Sequence, residues 1–408
     1  MSTPDPVAVD FIVVGSGVGA VVTAQTLRGH GKSVVRIGAG LDGGARFVGS
    51  GWCPEPPPAG FDAAPAPSRA LLLRGQMLPL PLSSANLGKL IPAAQLARAG
   101  VALGRARAAS AVAAFVGGGR EERSYRDWVR YRFGNPVYEA VFAPYASARF
   151  GDPESVICGV ARVVHGEAAP TGSRPSPALW TELQAPVDAV VTALREDCVS
   201  TETGDYLGQV VVDLAPLDVL RLWSPGADSV LAIDAGRLRA RHGVEVMLRG
   251  NLPDGLNEVH VVGAPFFRAV QHADGLVALH LAVDMGAPEW TADDASLARQ
   301  LAQVAAEVGL SGLSADGAVV RRFPLHHPLW AISHLTRLRT WTEALVEGGI
   351  EPVGRVGLVS PMSPAAIAAY AEDRLIHGAS LRDCIRHHVE PPPRDSVDRP
   401  RLSGFVTR

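Results

Sequence analysis

The chain has 408 residues, of which 47% are hydrophobic and 19% are charged, and its formal net charge is −3. This composition is typical of a globular protein with two domains, or of one large domain with an insertion. A slightly negative chain has no general attraction to nucleic acid or to an anionic membrane. The composition therefore predicts no nucleic-acid partner.

The N-terminus and the cysteines indicate a cellular location. The first residues, MSTPDPVAVDF, lack the charged start, apolar run and cleavage site of a signal peptide. No apolar run reaches the roughly 18–20 residues that a transmembrane helix needs. The cysteines are scattered and form no CxxC pair, so we expect neither a disulfide framework nor a metal cage. These patterns predict a cytoplasmic protein without a transmembrane segment.

The N-terminal residues predict a βαβ unit. The apolar run over 11–14 is typical of a strand buried on both faces of a parallel sheet. A glycine-rich turn follows over 15–20, then a helix over about 18–29 and a second strand over 33–37. Such a front end is typical of dinucleotide-binding domains.

The turn has the pattern G-x-G-x-x-A, formed by Gly15, Gly17 and Ala20, with Ser16 and Gly19 between them. Gly15 permits a tight turn, Gly17 lets the backbone approach a pyrophosphate, and Ala20 lets the helix pack closely on the strand. The helix N-terminus would offer free N–H groups and positive potential to the phosphates. Taken alone, these residues also suit a similar turn without a ligand.

The second strand ends without the carboxylate that holds a ribose in such sites. Gly38 stands at that position, and Asp42, four residues further on, could reach back. Arg36 near the strand end leaves a 2′-phosphate ligand, and hence NADP, as a less favoured alternative. A lost ribose contact weakens nucleotide binding by about 5- to 150-fold, so we expect weaker binding rather than none.

The rest of the chain alternates between irregular, helical and extended patterns. Residues 49–68 are too rich in Pro and Gly for regular structure, and RALLLRGQMLPLPLS predicts a hairpin that turns at 74–76. Helices are predicted over 91–116, 124–154, 178–196, 293–309, 335–347 and 363–377, and strands over 209–216, 243–249, 258–263 and 276–284.

Two segments are candidates for a substrate side. VVGAPFFRAV could place Phe267 and Arg268 over a pocket, although phenylalanines at a sheet edge are also simple core residues. RRFPLHHPLWAISH, over 321–334, is interpreted as a proline-punctuated loop that carries His326 and His327. Adjacent histidines would point to opposite sides of an extended chain, so we predict no metal site.

Five patches in order along the chain resemble the FAD-dependent amine oxidase/protoporphyrinogen oxidase superfamily, in particular members close to UDP-galactopyranose mutase. They are the GxGxxA turn, a Gly-Gly-x-Arg at 43–46, RGQMLPLPLS, SYRDWVRYRFGNPVYEAVFAPYASARFGDP and GIEPVGRVGL. The fourth patch is the most specific, and its matches are Trp128, Arg132, Phe133, Gly134, Tyr138, Phe142, Pro144, Tyr145 and Gly151. The resemblance spans about residues 10–380.

The resemblance implies an α/β fold with a Rossmann-like FAD-binding domain of the GR2 type, which is discontinuous, and an inserted mixed α+β substrate domain. The implied FAD-binding pieces are residues 1–75, 176–230 and 335–389. The implied substrate domain has a helical part at 76–175 and an antiparallel-sheet part at 231–334, and residues 390–408 form a mobile tail.

The resemblance also implies the cofactor-binding residues. The turn over 15–20 would hold the pyrophosphate of FAD. Gly43, Gly44 and Arg46 would lie along the phosphates and the ribityl chain. The late motif, Gly354, Arg355 and Gly357, would lie beside the flavin ring. No catalytic residue is predicted.

The implied activity is oxidation of a small organic substrate by hydride transfer to flavin, a step that needs no acid–base pair. Two alternatives stay open. Gly38 and the lack of an acidic residue after the late motif favour a catalytically degenerate member with weak or no FAD, acting as a binding or scaffold subunit of a biosynthetic complex. A flavin-dependent sugar mutase is the other alternative, although the paired arginines and tyrosines of such an enzyme are not recognisable in order.

Overall fold

The computed structural model describes residues 5–38, 61–65, 68–80, 124–152, 171–176, 190–214, 216–223, 240–253, 255–272, 275–329, 334–358 and 362–389, with isolated residues or short runs at 86, 91–94, 97, 98, 100, 101, 104, 156 and 238. Its strands are β1 (Val7–Val14), β2 (Val34–Ile37), β3 (Phe61–Pro65), β4 (Arg69–Leu73), β5 (Gln76–Pro79), β6 (Thr171–Pro175), β7 (Val191–Leu194), β8 (Cys198–Thr201), β9 (Asp205–Val212), β10 (Ala240–Arg249), β11 (Glu258–Val262), β12 (Arg268–Gln271), β13 (Leu276–Val283), β14 (Ser314–Pro328) and β15 (Ile350–Pro352).

The α-helices are α1 (Val18–Gly29), α2 (Tyr125–Phe133), α3 (Asn135–Val137), α4 (Ala143–Phe150), α5 (Pro216–Leu222), α6 (Pro288–Thr291), α7 (Asp294–Val308), α8 (His334–Glu347), α9 (Gly354–Gly357), α10 (Pro364–Ala371) and α11 (Leu381–Cys384). Three π-helical turns cover Tyr138–Phe142, Glu372–Ile376 and Ile385–Val389. No helix among these described residues has the length and hydropathy to cross a bilayer.

The first sheet joins strands from three distant parts of the chain. Its order is β2-β1-β9-β8-β7, and β15 also pairs with β9. The strands β2, β1, β9 and β15 run parallel, whereas β7, β8 and β9 form an antiparallel meander. The apolar end of β1 is buried, as its continuous hydrophobic run predicts. The predicted βαβ unit is confirmed, with the helix at Val18–Gly29.

The second sheet has seven strands in the order β14-β10-β13-β12-β11-β4-β5. Its pairs are antiparallel except for β11 and β4, which run parallel. One face packs with α2, α4 and the π-turn between them, and the other face packs with α7. The neighbouring Phe267 and Phe266 belong to these two different clusters, so the sheet separates them. The third sheet is the pair β3-β6.

The strand β4 belongs to this second sheet, although the division drawn from the resemblance puts it at the end of the first FAD-binding piece. It forms the predicted hairpin with β5, and Arg74 and Gly75 at the turn both have positive φ, 52° and 74°. Two central residues with positive φ define the tight turn that matches the twist of a hairpin.

Three predictions are wrong over the residues that the structure describes. The segment 49–68, predicted to lack regular structure, contains the strand β3, because antiparallel pairing with the distant β6 supplies the backbone hydrogen bonds that the local Pro- and Gly-rich composition does not indicate. The helix predicted over 178–196 is a strand at Val191–Leu194, because pairing with β8 overrides the weak helical preference of VTAL. The loop predicted over 321–334 is extended as far as Pro328. Pro324 and Pro328 fit this strand because β14 lies at the edge of its sheet, where a missing N–H is tolerated.

Candidate functional site

The four parallel strands of the first sheet, β2, β1, β9 and β15, end at one edge of it. Beyond the strands, Gly15 N donates to Ile37 O at 2.8 Å, Asp213 N donates to Val14 O at 2.9 Å, and Val353 N donates to Val212 O at 2.9 Å. The early glycine turn and the late GRVG motif therefore start from the same sheet edge. Ligands of open α/β sheets bind outside the carboxyl ends of such strands.

The two glycine motifs touch each other. A Cβ atom added to Gly19 would lie 2.7 Å from the Cα of Gly354, and one added to Gly354 would lie 2.8 Å from the Cα of Gly19. A Cβ on Gly15 would lie 3.0 Å from the carbonyl oxygen of Asp213, and one on Gly357 would lie 2.5 Å from that of Val212. The small residues of both motifs are thus required by their own packing, whether or not a ligand is bound.

A carboxylate lies at this junction. Asp213 follows β9 and is only 5% exposed. Its Oδ2 accepts a hydrogen bond from Ala20 N at 3.0 Å, and its Oδ1 accepts from Val356 N at 3.2 Å and Gly357 N at 3.4 Å. One side chain therefore links the first turn of α1 with α9.

The phosphate half of the site fits a dinucleotide pyrophosphate. Gly17 is the N-cap of α1 with an extended backbone (φ −79°, ψ 176°) and makes no side-chain cap. The N–H groups of Val18 and Gly19 in the first turn have no acceptor within the helix. Such groups, together with the helix dipole, form a ready binding site for phosphate. Ser16 lies in the turn directly before Gly17.

The part of the site that would face a ribose has Gly38 where related sites have a ribose-binding carboxylate. Gly38 is buried, makes an isolated parallel bridge with Val190 and accepts a hydrogen bond from Val191 N at 3.3 Å. Arg36 lies within β2, paired opposite Val13. The other predicted residues of this half, Asp42, Gly43, Gly44 and Arg46, lie outside the described residues.

The late motif lies between the two sheets. Its helix α9 packs against α1 on one side and against β14 of the second sheet on the other. Gly354 begins it with a positive φ of 72°, which a residue with a side chain adopts only at a cost. The Arg355 side chain lies outside the described residues. The GRVG motif thus connects the nucleotide half of the molecule with the strand that carries His326 and His327.

The predicted substrate-side residues fall into two groups. Phe267 is 2% exposed, and its ring meets that of His327 edge to face, with the ring centres 5.5 Å apart. The guanidinium of Arg149 lies 5.2 Å from the centre of the Phe267 ring. Arg268 instead contacts Glu258 at 3.4 Å. His326 lies in the same strand as His327, but its side chain is outside the described residues.

A buried polar network lies beside Phe267. The hydroxyl of Tyr145 is 2.9 Å from His260 Nδ1, and His260 Nε2 is 3.1 Å from Glu258 Oε1. Arg149 donates to the Tyr145 hydroxyl at 3.3 Å. Because the carboxylate only accepts, His260 Nε2 must donate to it, and Nδ1 is left to accept from the phenol or to share its proton. Tyr145, His260 and Glu258 thus form a chain of hydrogen bonds of the kind through which a proton can be passed.

The pKa values of Tyr145, His260 and Glu258 are shifted because the three side chains interact with one another and with nearby arginines. Burial alone would raise the pKa of Tyr145, but the positive charges of His260 and Arg149 and their hydrogen bonds lower it. Burial alone would lower the pKa of His260, but Tyr145 and Glu258 raise it. Burial would raise the pKa of Glu258, but Arg268 and His260 hold it well below its usual range. The network therefore favours a charged histidine and a phenol that gives up its proton more readily.

The polar side chains form a row across the second sheet. Directly paired positions run from β14 to β11 through the residues Arg321, Glu245, His280, Arg268 and His260. Side chains at paired positions share one face of a sheet. This is the face that carries Phe267 and the helices of the most specific sequence patch. Binding sites for small molecules combine a mostly apolar lining with a few polar groups of this kind.

Several of these residues were missed in the sequence. The Tyr145 position was matched only as part of the family pattern, and Asp213, Glu258 and His260 were not singled out. The segment EVHVV carried a usable signal, because two titratable residues alternate with valines and must share one strand face. No group of three or more His, Cys, Asp or Glu residues in the described part of the chain is placed to hold a metal ion.

No protein-family model and no curated protein sequence matches the chain. Solved structures do match. Reduced UDP-galactopyranose mutase has a TM-score of 0.64 at 12% identity, over 93% of this chain and 98% of the mutase. A protein described as a protoporphyrinogen oxidase, from Exiguobacterium sp. 255-15, has 0.57 at 14%, over 92% and 100%. Putrescine oxidase bound to putrescine has 0.55 at 11%, over 91% and 100%.

The chain therefore shares its mixed α/β fold with these three solved structures. The resemblance seen in the five sequence patches is confirmed at the level of the fold.

Proposed function

We propose that the protein is an FAD-dependent oxidoreductase that oxidises a small organic substrate. The observation that carries this proposal is the meeting of two glycine motifs, 15–20 and 354–357, at the ends of the parallel strands. Chain segments far apart in the sequence supply the two motifs, and their meeting point is where this class of sheet binds nucleotides.

In this proposal the first turn of α1 holds the pyrophosphate through the N–H groups near Ser16, Gly17 and Gly19. The segment from Asp42 to Arg46 would run along the phosphates and the ribityl chain, as the resemblance implies, and Arg355 would lie beside the ring. When bound, the flavin would supply the hydride acceptor that no amino-acid side chain offers.

The substrate would meet the second sheet. Phe267 and His327 would give it an aromatic wall, and Arg268 would lie on the same face of the sheet. Tyr145 and His260 would share one proton between the phenol oxygen and Nδ1, and Glu258 would stabilise the imidazolium form of His260. These three side chains are in hydrogen-bond contact, which supports this order of roles.

We also propose the domain division that the resemblance implies. The first sheet takes its strands from 7–37, 191–212 and 350–352, which supports a discontinuous FAD-binding domain of the GR2 type. Because β4 pairs within the second sheet, we place the end of the first piece before Arg69 instead of at residue 75.

A second candidate is a catalytically degenerate relative that serves as a binding subunit for a partner protein. Gly38 favours this candidate, because it has no side chain to bind a ribose and its backbone forms a bridge with Val190. A flavin-dependent sugar mutase is a third candidate, supported by the likeness in fold to UDP-galactopyranose mutase.

The visible absorbance spectrum of the purified protein tests these candidates, recorded before and after incubation with excess FAD and desalting. Retained flavin bands support the flavoenzyme, and anaerobic bleaching by an amine, a porphyrinogen or another organic donor identifies an oxidase. Substrate turnover that needs prior reduction of the flavin and gives no net oxidation would identify a mutase. A protein that retains no flavin is the degenerate relative.

A matched variant makes this test specific. In Gly17→Asp the backbone angles of Gly17 suit any residue, and Asp is a favoured N-cap, so we expect a folded protein. Its added negative charge would stand at the pyrophosphate position. Flavin retained equally by this variant would place the cofactor elsewhere.

A further inference from the structure

Asp213 supplies a negative charge at the helix terminus that the proposed function assigns to a pyrophosphate. Its carboxylate accepts hydrogen bonds from Ala20 N, Val356 N and Gly357 N at 3.0, 3.2 and 3.4 Å. Both oxygens accept hydrogen bonds from backbone N–H groups, which is a role that suits an ionised carboxylate. The Asp213 side chain caps the N-terminus of α1 through Ala20 N. Gly17, the N-cap residue, cannot do this because it has no side chain.

Two glycines, Gly19 and Gly354, leave the space that the Asp213 side chain occupies. A Cβ atom on Gly354 would lie 2.5 Å from Asp213 Oδ1, and a Cβ on Gly19 would lie 2.6 Å from Asp213 Cγ. Both motifs thus leave room for the Asp213 side chain only because these positions are glycine. The hydrogen bonds and the close packing are two independent indications that the carboxylate is a fixed part of the site.

Two anions would then share one helix terminus. The N–H groups of Val18, Gly19 and Ala20 are consecutive in the first turn, where each residue rises about 1.5 Å along the axis. A pyrophosphate on the first two would lie within about 6 Å of a carboxylate on the third. At that separation two negative charges repel each other enough to weaken binding by about 10-fold or more.

We propose that Asp213 is a built-in anion that holds the two glycine motifs together without a ligand and lowers the affinity of the site for FAD. The inference rests on the proposed function, because it concerns how tightly that cofactor is held. It makes the FAD-free protein a stably folded species that exchanges its cofactor, and it sets Asp213 apart as a residue that determines cofactor affinity.

The test compares the full-length protein with Asp213→Asn and with Asp205→Asn as the control. Asp205 is an exposed residue at the other end of the same strand, so its variant makes the same change of charge far from the site. The Kd values for FAD and for riboflavin are measured by flavin fluorescence. Riboflavin has no phosphate and should respond to neither variant. Thermal unfolding of the FAD-free proteins is the second measurement.

We expect Asp213→Asn to lower the Kd for FAD by about 10-fold, to leave that for riboflavin unchanged, and to lower the Tm of the FAD-free protein. Asp205→Asn should change none of these quantities. If Asp213→Asn does not fold, Asp213→Ser removes the same charge with a smaller side chain and serves in its place.

The outcomes separate the two proposals. An unchanged or higher Kd for FAD in Asp213→Asn, with a wild type that binds FAD, overturns the inference and leaves the proposed function intact. Binding by the variant but not by the wild type supports the inference and shows that the native chain works without flavin. Absence of FAD binding in all three folded proteins overturns both.

Discussion

Gly19 and Gly354 lie so close together that a Cβ atom on either would fall within 2.8 Å of the Cα of the other. This contact explains why both motifs need glycine before any ligand is considered. It joins α1, at the start of the chain, to the GRVG helix near its end, so the two motifs of the candidate site are packed against each other.

Gly19→Ala is expected to destabilise the protein. The new methyl group would overlap the Asp213 carboxylate and the backbone of Gly354, and overpacking of this kind costs about 1–3 kcal/mol. Gly29→Ala in the same helix is the control, because nothing lies within 4 Å of a Cβ there. Alanine should stabilise that position by up to about 1 kcal/mol. Denaturant unfolding followed by circular dichroism measures both, and equal effects would contradict the packing described.

Arg374→Ala should destabilise the C-terminal region strongly. Arg374 donates to both oxygens of Glu351, each at 3.0 Å, and Glu351 is 4% exposed. Removing the guanidinium leaves a buried carboxylate without its ionic partner, which typically costs about 3–5 kcal/mol. The exposed Arg382→Ala is the control and should change the free energy of unfolding by less than about 0.5 kcal/mol. A loss below about 1 kcal/mol for Arg374→Ala would show that Glu351 does not depend on this partner.

Local patterns predicted much of the fold. The helices Val18–Gly29 and Asp294–Val308 agree with their predicted bounds within one residue, because each has a capping or glycine signal at its ends. The hairpin at Arg74 and Gly75 was likewise visible as a turn between apolar runs. These features depend on residues that are neighbours in sequence, so one sequence is enough to predict them.

The missed features depend on pairing between distant residues. VTAL became a strand only because β8 lies beside it, and no local signal marks Asp213 as the partner of a turn almost two hundred residues earlier. Tyr145 and His260 meet only when the helical segment packs on the second sheet. The sequence therefore predicted the glycine motifs of the candidate site, but it missed Asp213, which joins them, and the contact between Tyr145 and His260.

His260 should titrate above the usual histidine range. Glu258 and Tyr145 raise its pKa, so its contribution to stability is complete below about pH 6.5 and is lost as the pH rises through the higher pKa of the folded state. NMR titration of protein labelled in its histidines measures this value directly. Glu258→Gln should lower the pKa of His260, whereas the exposed Glu307→Gln should leave it unchanged. A His260 that titrates at or below the ordinary value in the wild type would contradict the network.

Tyr145→Phe should separate the phenol from the rest of this network. The variant keeps the ring in its apolar cluster but removes the hydroxyl that contacts His260 Nδ1 and Arg149, so a loss of about 1–3 kcal/mol in the free energy of unfolding is expected. Because Tyr145 also raises the pKa of His260, the same variant should lower that pKa. A double-mutant cycle of Tyr145→Phe with His260→Phe should give a coupling energy of about 0.5–3 kcal/mol. Pairing His260→Phe with Tyr206→Phe in the first sheet is the control cycle and should give a coupling near zero. Additive effects in the first cycle would show that the 2.9 Å contact carries no energy and would remove Tyr145 from the proposed proton relay.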